Sequence, residues 1–256
     1  FSRGGSDITG SIVARAVDAD LYENWTDVDG FLMADPRIVQ NPRVMESVTY
    51  HELRELSYMG ATVLHEDSVL PVRMAGIPIL IKNTCNPSAP GTLILPRRDS
   101  EPALPITGIA GRKGFSALTV EKDMMNSEVG FGKKVLEVLE SHDISFEHLP
   151  SGIDTMSVLV ESKAIEECKG SITAEMVKKV NPDSITIVEN LCLVAVVGRG
   201  MVATEGTAAR VFTALARNHV NIRMIDQGSS EINIIVAVEE KDFSTTIKAI
   251  YDEFVK

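Results

Sequence analysis

An internal repeat in the C-terminal part of the chain constrains the fold more than any other feature. The segment LEVLESHDISFEHLPSGIDTMSVLV (136–160) resembles FTALARNHVNIRMIDQGSSEINIIV (212–236). In both segments a helical pattern ends at a histidine and is followed by two strand patterns around a turn of small residues. Such a duplication predicts two similar α/β units in tandem.

Strand and helix patterns predict the order β-α-β-β-α-β for the first unit, residues 114–190. Within it, residues 144–152 and 184–190 are expected to be the second and the last strand. The second unit, residues 191–256, follows the same order but stops one strand short. Because an unpaired sheet edge is costly, we expect the apolar residues 106–113 to supply that missing strand. Both units are thus predicted to be ferredoxin-like βαββαβ units.

The N-terminal part, residues 1–98, alternates strand patterns with helix patterns, which predicts an α/β layer with a mostly parallel sheet. The expected strands lie within residues 19–30, 77–84 and 86–95. The stretch PRRDSEPALP then brings three prolines and mixed charges, and such a composition is typical of a linker between domains. We place this linker at residues 99–105.

Three helices are expected in the N-terminal part. The first covers residues 8–19, and Ser6-Asp7 before it suits an N-cap. Its inward face is expected to consist of Ile8, Ile12, Val13, Ala16 and Val17. The others cover residues 46–58 and 63–76, the latter with an interruption near Pro71.

Charge and cysteine usage exclude several classes of function. A net charge of −11 over 256 residues argues against nucleic acid or an anionic membrane as a partner. No apolar run approaches the roughly 20 residues of a membrane span. Cys85, Cys168 and Cys192 are odd in number and widely spaced, so we expect neither a disulfide framework nor a metal site. Three reduced thiols predict a cytoplasmic protein.

The stretch RGGSD, residues 3–7, precedes the first predicted helix. Backbone N–H groups and the dipole at a helix N-terminus attract anions, and an arginine there would add a cation that matches a carboxylate. Alone, the same residues could equally form a tight turn with Arg3 paired on the surface.

Four features together resemble the aspartate kinases, members of the amino-acid kinase family that carry paired ACT domains. They are RGGSD, WTDVDGFLMADPR (25–37), GATVLHEDSVLPVRMAGIPILIKNT (60–84) and the tandem repeat, in that order. The resemblance covers the entire chain and is closest to the monofunctional enzymes. It implies that residues 1–98 are the C-terminal part of a kinase domain, a partial αβα sandwich. The two βαββαβ units would then be ACT units.

The resemblance also implies an activity, namely ATP-dependent phosphorylation of the side-chain carboxylate of L-aspartate, with Mg²⁺ bridging the phosphates. By motif position, Arg3 would hold a carboxylate of aspartate, and Ser6 and Asp7 would lie beside the reacting groups. The nucleotide would contact Thr26, Asp27, Arg37, Thr62 and Val63.

One position departs from the family pattern, because many members have a lysine where this chain has Thr62. Either a branch of the family does without that lysine, or the nucleotide contact shifts to Lys82 or to the backbone around Val63. The sequence leaves both alternatives open.

ACT pairs of the family bind a small regulatory amino acid. The matching positions in the first unit are Met125, Ser127, Gly130, Phe131, Ser145, Phe146, Glu147 and Asp154. The carboxylates of Glu147 and Asp154 favour a cationic effector, so lysine is preferred over threonine. The alternative for Met125 and Phe131 is that their side chains belong to the core.

The resemblance further implies a homodimer joined through the ACT units. A phosphate-binding loop of the kinase domain is expected before Phe1, so that these 256 residues alone would not catalyse. The alternative function is therefore that of a non-catalytic fragment that senses an amino acid and dimerises.

Overall fold

The computed structural model describes residues 5–61, 64, 66–97 and 104–256. The chain forms a four-stranded sheet in its N-terminal part and a five-stranded sheet that runs through both units. Helices pack against both sheets. The predicted α/β class is confirmed.

The N-terminal part holds a mixed sheet with the strand order β1-β3-β4-β2. Its elements are α1 (Gly5–Ala16), β1 (Tyr22–Thr26), β2 (Ser47–Thr49), α2 (Tyr50–Tyr58), α3 (Glu66–Ala75), β3 (Ile79–Asn83) and β4 (Thr92–Leu95). β1 pairs with β3 and β2 with β4 in parallel, whereas β3 and β4 are antiparallel. The carboxyl ends of β1 and β3 therefore lie side by side, which is where α/β sheets bind ligands.

The first helix differs from the prediction at its start and in its buried face. α1 begins at Gly5, so Ser6 and Asp7 lie in its first turn and not before it. Ile12, Val13 and Val17 are more than half exposed. Small side chains are buried instead, because α1 packs closely against α3 and β1 through a narrow face.

Two further predictions in the N-terminal part are corrected. The predicted helix over residues 46–58 begins only at Tyr50, because Ser47–Thr49 form β2 and Thr49 caps α2. Pro71 lies inside a continuous α3. The loss of one backbone N–H at Pro71 is therefore not sufficient to interrupt the helix.

The five-stranded sheet has the order β6-β5-β7-β9-β8, with all pairs antiparallel. Its strands are β5 (Gly108–Glu121), β6 (Thr155–Glu161), β7 (Ser184–Val197), β8 (Ile222–Asp226) and β9 (Asn233–Glu239). The helices are α4 (Phe131–Ser141), α5 (Ser162–Ile165), α6 (Lys169–Val180), α7 (Thr207–Arg217) and α8 (Phe243–Val255).

β5 and β7 are long strands that belong to both units. Residues 108–113 of β5 pair with residues 192–197 of β7, and the remainder of β5 pairs with both β6 and the first half of β7. The register shifts at Gly114, which has a φ of +90°. The boundaries between the units thus lie within continuous strands.

The predicted strand at residues 144–152 is wrong. This segment forms only isolated bridges, between His148 and Leu159 and between Ser151 and Met156. Pro150 lies between these two bridges and has no N–H to donate, so the bridges are not joined into a regular ladder. The result is an irregular segment between α4 and β6.

Two hydrophobic cores stabilise the chain. One lies in the first unit, mainly between its strands and the helices α4 and α6. The other is continuous from the N-terminal part into the second unit, and it includes residues 191–197 of β7, all of which are buried. A strand that is buried on both faces must be covered from both sides, so the N-terminal part and the second unit are packed together. In the described ranges no helix is long and apolar enough to cross a membrane.

Candidate functional site

The catalytic candidate Asp7 is held against β1. Asn24 Nδ2 donates to Asp7 Oδ1 at 3.1 Å, and Tyr22 Oη donates to the Asp7 carbonyl at 3.4 Å. Burial raises the pKa of Tyr22, so its hydroxyl stays protonated and can donate. Ser6 is exposed in the same turn of α1. Arg3 lies outside the described residues.

The nucleotide candidates Thr26 and Asp27 stand at the end of β1. Thr26 Oγ1 donates to Asp27 Oδ1 at 3.2 Å. Asn24, which holds Asp7, precedes Asp27 by three residues, or about 10 Å along a strand. The structure therefore brings Asp7 and Asp27 to the same strand. Thr62 and Val63 lie outside the described residues.

The loop after β1 is attached to the end of the neighbouring strand β3. Asp29 Oδ1 accepts from Asn83 Nδ2 at 2.7 Å and from Asn86 Nδ2 at 3.1 Å. Asn83 was missed by the sequence reasoning. Its position at the end of a strand parallel to β1 is the signal that could have identified it.

Arg37 is oriented by Asp35 and remains open to solvent. Its Nη2 donates to Asp35 Oδ2 at 2.7 Å, and its backbone N–H donates to Asp35 Oδ1 at 2.8 Å. The hydrogen bond from the guanidinium lowers the pKa of Asp35. The Arg37 side chain is 84% exposed, so it can meet an incoming anion.

These residues line a cavity of about 850 Å³ between the N-terminal part and the second unit. Asp27, Asp29, Arg37 and Asn83 are on one side, and residues of β5 and α8 are on the other. This volume lies within the range of small-molecule sites. The second unit thus forms part of the wall of the cavity that the nucleotide candidates line.

The part of the chain that the structure describes contains no preformed binding site for magnesium. No group of three or more His, Cys, Asp or Glu side chains there could hold a metal ion. Asp29 already accepts from two amides, and Asp35 is paired with Arg37. Mg²⁺ keeps several waters and is often bound through substrate phosphates, so the expected ion would need few ligands from these residues.

The effector candidates of the first unit do not converge on one cavity. Ser145 and Phe146 line a surface cavity of about 740 Å³ beside α4. Glu147 lines another, of about 350 Å³, between the units and α2. The segment thus changes from one cavity to the other between Phe146 and Glu147.

The other effector candidates are dispersed. Met125 and Phe131 are less than a tenth exposed and belong to the core of the first unit, so their side chains are not available to a surface ligand. Ser127 is exposed, and Gly130 has a φ of +83° at the start of α4. Asp154 is half-buried, and its carbonyl accepts from Lys122 N–H at 2.9 Å.

A buried carboxylate joins the N-terminal part to the second unit. Glu52 Oε1 accepts from Thr107 Oγ1 at 2.7 Å and from Arg199 N–H at 3.0 Å. Its Oε2 accepts from Thr49 N–H at 2.9 Å, which closes a capping box at the start of α2. The N-terminal part and the second unit therefore share one polar cluster, which the sequence motifs did not predict.

Two family models match the chain in succession. The amino acid kinase family matches residues 1–83, and the ACT domain matches residues 194–254. "Aspartokinase 3" of Bacillus subtilis (strain 168) is 43% identical over 255 residues, which cover 99% of this chain and 56% of that protein.

Solved structures of aspartate kinases also match this chain. The crystal structure of Clostridium acetobutylicum aspartate kinase is 58% identical, with a TM-score of 0.93 over 99% of this chain and 59% of that one. E. coli aspartokinase III in complex with aspartate and ADP is 27% identical, with a TM-score of 0.79 over 98% of this chain and 56% of that one. Its complex with lysine and aspartate is 26% identical, with a TM-score of 0.76 over 99% of this chain and 56% of that one. This chain thus spans somewhat more than half the length of each of these relatives.

Proposed function

Because the chain belongs to the aspartate kinase family, we propose that the protein containing it transfers a phosphoryl group from ATP to the side-chain carboxylate of L-aspartate. The observation that carries this proposal is that Asp7 is hydrogen-bonded to Asn24 of β1, while Asp27 directly follows β1 and lines the same cavity as Arg37. E. coli aspartokinase III was solved in complex with aspartate and ADP, which supports aspartate and an adenine nucleotide as ligands here.

Phosphoryl transfer needs positioning and neutralisation of charge more than covalent help from the protein. The N-terminus of α1 offers backbone N–H groups and the positive end of its dipole to an anion. Arg37 would neutralise charge on the nucleotide, and Arg3 would hold a carboxylate of aspartate. Bound Mg²⁺ would supply further neutralisation between the phosphates.

We propose in addition that an amino acid regulates the enzyme through the first unit, with lysine preferred. The carboxylates of Glu147 and Asp154 suit a side-chain ammonium, and the E. coli relative was solved with lysine.

The first unit also has exposed apolar side chains. The exposed fraction is 97% for Val129, 45% for Phe146 and 70% for Ile153. Their exposure supports a homodimer formed through the ACT units, which light scattering would test. A cytoplasmic location is part of the same proposal.

The activity is tested with the full-length protein, ATP and L-aspartate. Replacing Arg37 by alanine removes a cation from the nucleotide side of the cavity, so we expect KM for ATP to rise about tenfold or more. Arg43→Ala is the matched control, because Arg43 pairs with Glu46 in solvent and does not line the cavity. The proposal fails if the wild-type protein shows no aspartate-dependent consumption of ATP.

A second candidate function applies to the 256 residues in isolation. Ile12 and Val13 of α1 and Val17, which follows it, are exposed. β1 is an edge strand, and its Trp25 is 47% exposed. Exposed apolar side chains beside an edge strand are typical of a packing surface. We infer that catalysis needs a further part of the protein packed against this surface. We therefore propose that the isolated chain binds a regulatory amino acid without turning over ATP, which calorimetry with lysine and a kinase assay would test together.

A further inference from the structure

Tyr58 joins the N-terminal part of the chain directly to the first unit. Its Oη donates to Glu147 Oε2 at 2.6 Å across 89 residues of sequence. Tyr58 is the last residue of α2, and Glu147 lies in the irregular segment after α4. Burial, followed by the hydrogen bond to Glu147, raises the pKa of Tyr58 to about 12, so the hydroxyl remains a donor at neutral pH.

The residue after Glu147 fixes the same segment to the second unit. His148 Nδ1 and Asp226 Oδ2 are 2.6 Å apart. Asn233 Nδ2 of β9 in turn donates to Glu55 Oε2 of α2 at 2.7 Å. The first unit, the second unit and α2 therefore meet around one cavity of about 350 Å³, with Glu147 in its wall.

In its present position, Glu147 cannot contact Tyr58 and an effector in the cavity beside α4 at the same time. As an effector residue it would act with Ser145 and Phe146, but these line the cavity beside α4. Its carboxylate is turned instead toward Tyr58. To join a ligand in the cavity beside α4, the Glu147 side chain has to turn and release the Tyr58 hydroxyl.

We propose that Tyr58 competes with the side-chain ammonium of the effector for the Glu147 carboxylate, so that this hydrogen bond links effector binding to the N-terminal part. The inference rests on the proposed regulation by an amino acid. α2 is followed by Gly60 and Ala61, which line the cavity of about 850 Å³ together with the nucleotide candidates Asp27 and Arg37. Release of Tyr58 therefore acts on a segment in the wall of that cavity.

Such coupling is reciprocal, because a bond that effector binding breaks must also weaken effector binding. The experiment compares L-lysine binding by the full-length protein and by its Tyr58→Phe variant, using isothermal titration calorimetry. The variant keeps the ring and loses the competing hydroxyl, so we expect lysine to bind about fivefold more tightly. The fractional inhibition of the kinase by saturating lysine falls in the same variant, because the contact that responds to lysine is already lost.

Tyr251→Phe is the matched control. The Tyr251 hydroxyl accepts from Arg43 N–H at 2.8 Å, between the N-terminal part and the second unit but away from Glu147. We expect this variant to bind lysine as the wild type does. Equal tightening in both variants would mean a general loosening of the chain and would overturn the role of Tyr58.

Further arms separate this inference from the proposed function. If lysine binds and inhibits but Tyr58→Phe leaves its Kd unchanged, the competition is wrong while the regulated kinase stands. L-threonine has no side-chain ammonium, so equal tightening of threonine by Tyr58→Phe would also overturn the competition. In a Glu147→Gln background, which weakens lysine binding, adding Tyr58→Phe should change nothing more. If the wild type binds neither amino acid, the effector and the role of Tyr58 fall together.

Discussion

At the scale of single residues, Glu52 shows how a buried carboxylate stays charged. Burial raises its pKa, but hydrogen bonds from Thr107, Arg199 N–H and Thr49 outweigh that effect, and the pKa ends below its ordinary value of 4.5. A carboxyl group with a lowered pKa in the folded state stabilises the fold fully above the pKa of the unfolded state. That contribution is lost as the pH falls through the folded pKa.

We predict that Glu52→Gln lowers the free energy of unfolding at about pH 7 by roughly 2–3 kcal/mol, because the charged acceptor of its hydrogen bonds is lost. Between about pH 5 and pH 3 the wild type should lose more stability than the variant. Urea unfolding at several pH values measures both effects. Glu46→Gln is the control, since Glu46 is 78% exposed and pairs only in solvent. Parallel pH profiles for the wild type and Glu52→Gln would contradict the prediction.

The sequence motifs predicted a common role for some of these residues but could not predict the contacts of others. Thr26, Asp27 and Arg37 lie in one contiguous motif, so their closeness along the chain was enough to propose a common role. Tyr58 and Glu147 are 89 residues apart, and their contact depends on how α2 meets the first unit. A motif records chemistry along the chain, whereas a contact of this kind exists only after the parts have packed.

At the scale of secondary structure, the turn before β4 depends on a glycine. Gly91 has a φ of +81°, and a Cβ placed there would lie 2.0 Å from the carbonyl oxygen of Ile81 in β3. No side-chain movement can relieve a clash with backbone. The pairing of β3 with β4 therefore requires glycine at this position.

We predict that Gly91→Ala destabilises the protein by about 3 kcal/mol or more, since it adds a clash to the cost of a left-handed conformation. Gly114→Ala is a matched control, because Gly114 has a φ of +90° but no atom within 4 Å of the added Cβ. It should cost only about 1–2 kcal/mol. Chemical denaturation of both variants measures the difference. Equal losses would show that the backbone conformation alone matters at Gly91.

Element boundaries were predicted best where the apolar period is long. α4 and α7 carry clear helical periodicity in both copies of the repeat, and both form as helices. β2 has only three residues, which is too short for a period to distinguish it from the helix that follows. Residues 144–152 have a strand-like composition, but their neighbours and Pro150 decide the pairing. We predicted two strands where β7 is one, because the sequence does not show that a single strand belongs to both units.

At the scale of the whole molecule, the boundary between cores differs from the boundary between units. The repeat predicts two equivalent units, and their helices do match, as Leu139 of α4 and Leu215 of α7 illustrate. Yet Leu139 belongs to the core of the first unit, while Leu215 belongs to the core that continues into the N-terminal part. The second unit should therefore unfold together with the N-terminal part, and the first unit should be able to open separately.

Leu139 and Leu215 allow this prediction to be tested, because both are at most 1% exposed at equivalent positions of the repeat. Either Leu→Ala substitution leaves a cavity and should cost about 3 kcal/mol locally. Leu215→Ala should also reduce the hydrogen-exchange protection of α2 and β3 in the N-terminal part, because they share its core. Leu139→Ala should reduce protection in α4, α6 and β6 and leave α2 and β3 protected. Equal loss of protection at α2 and β3 in both variants would mean that the chain unfolds as one unit, despite its two cores.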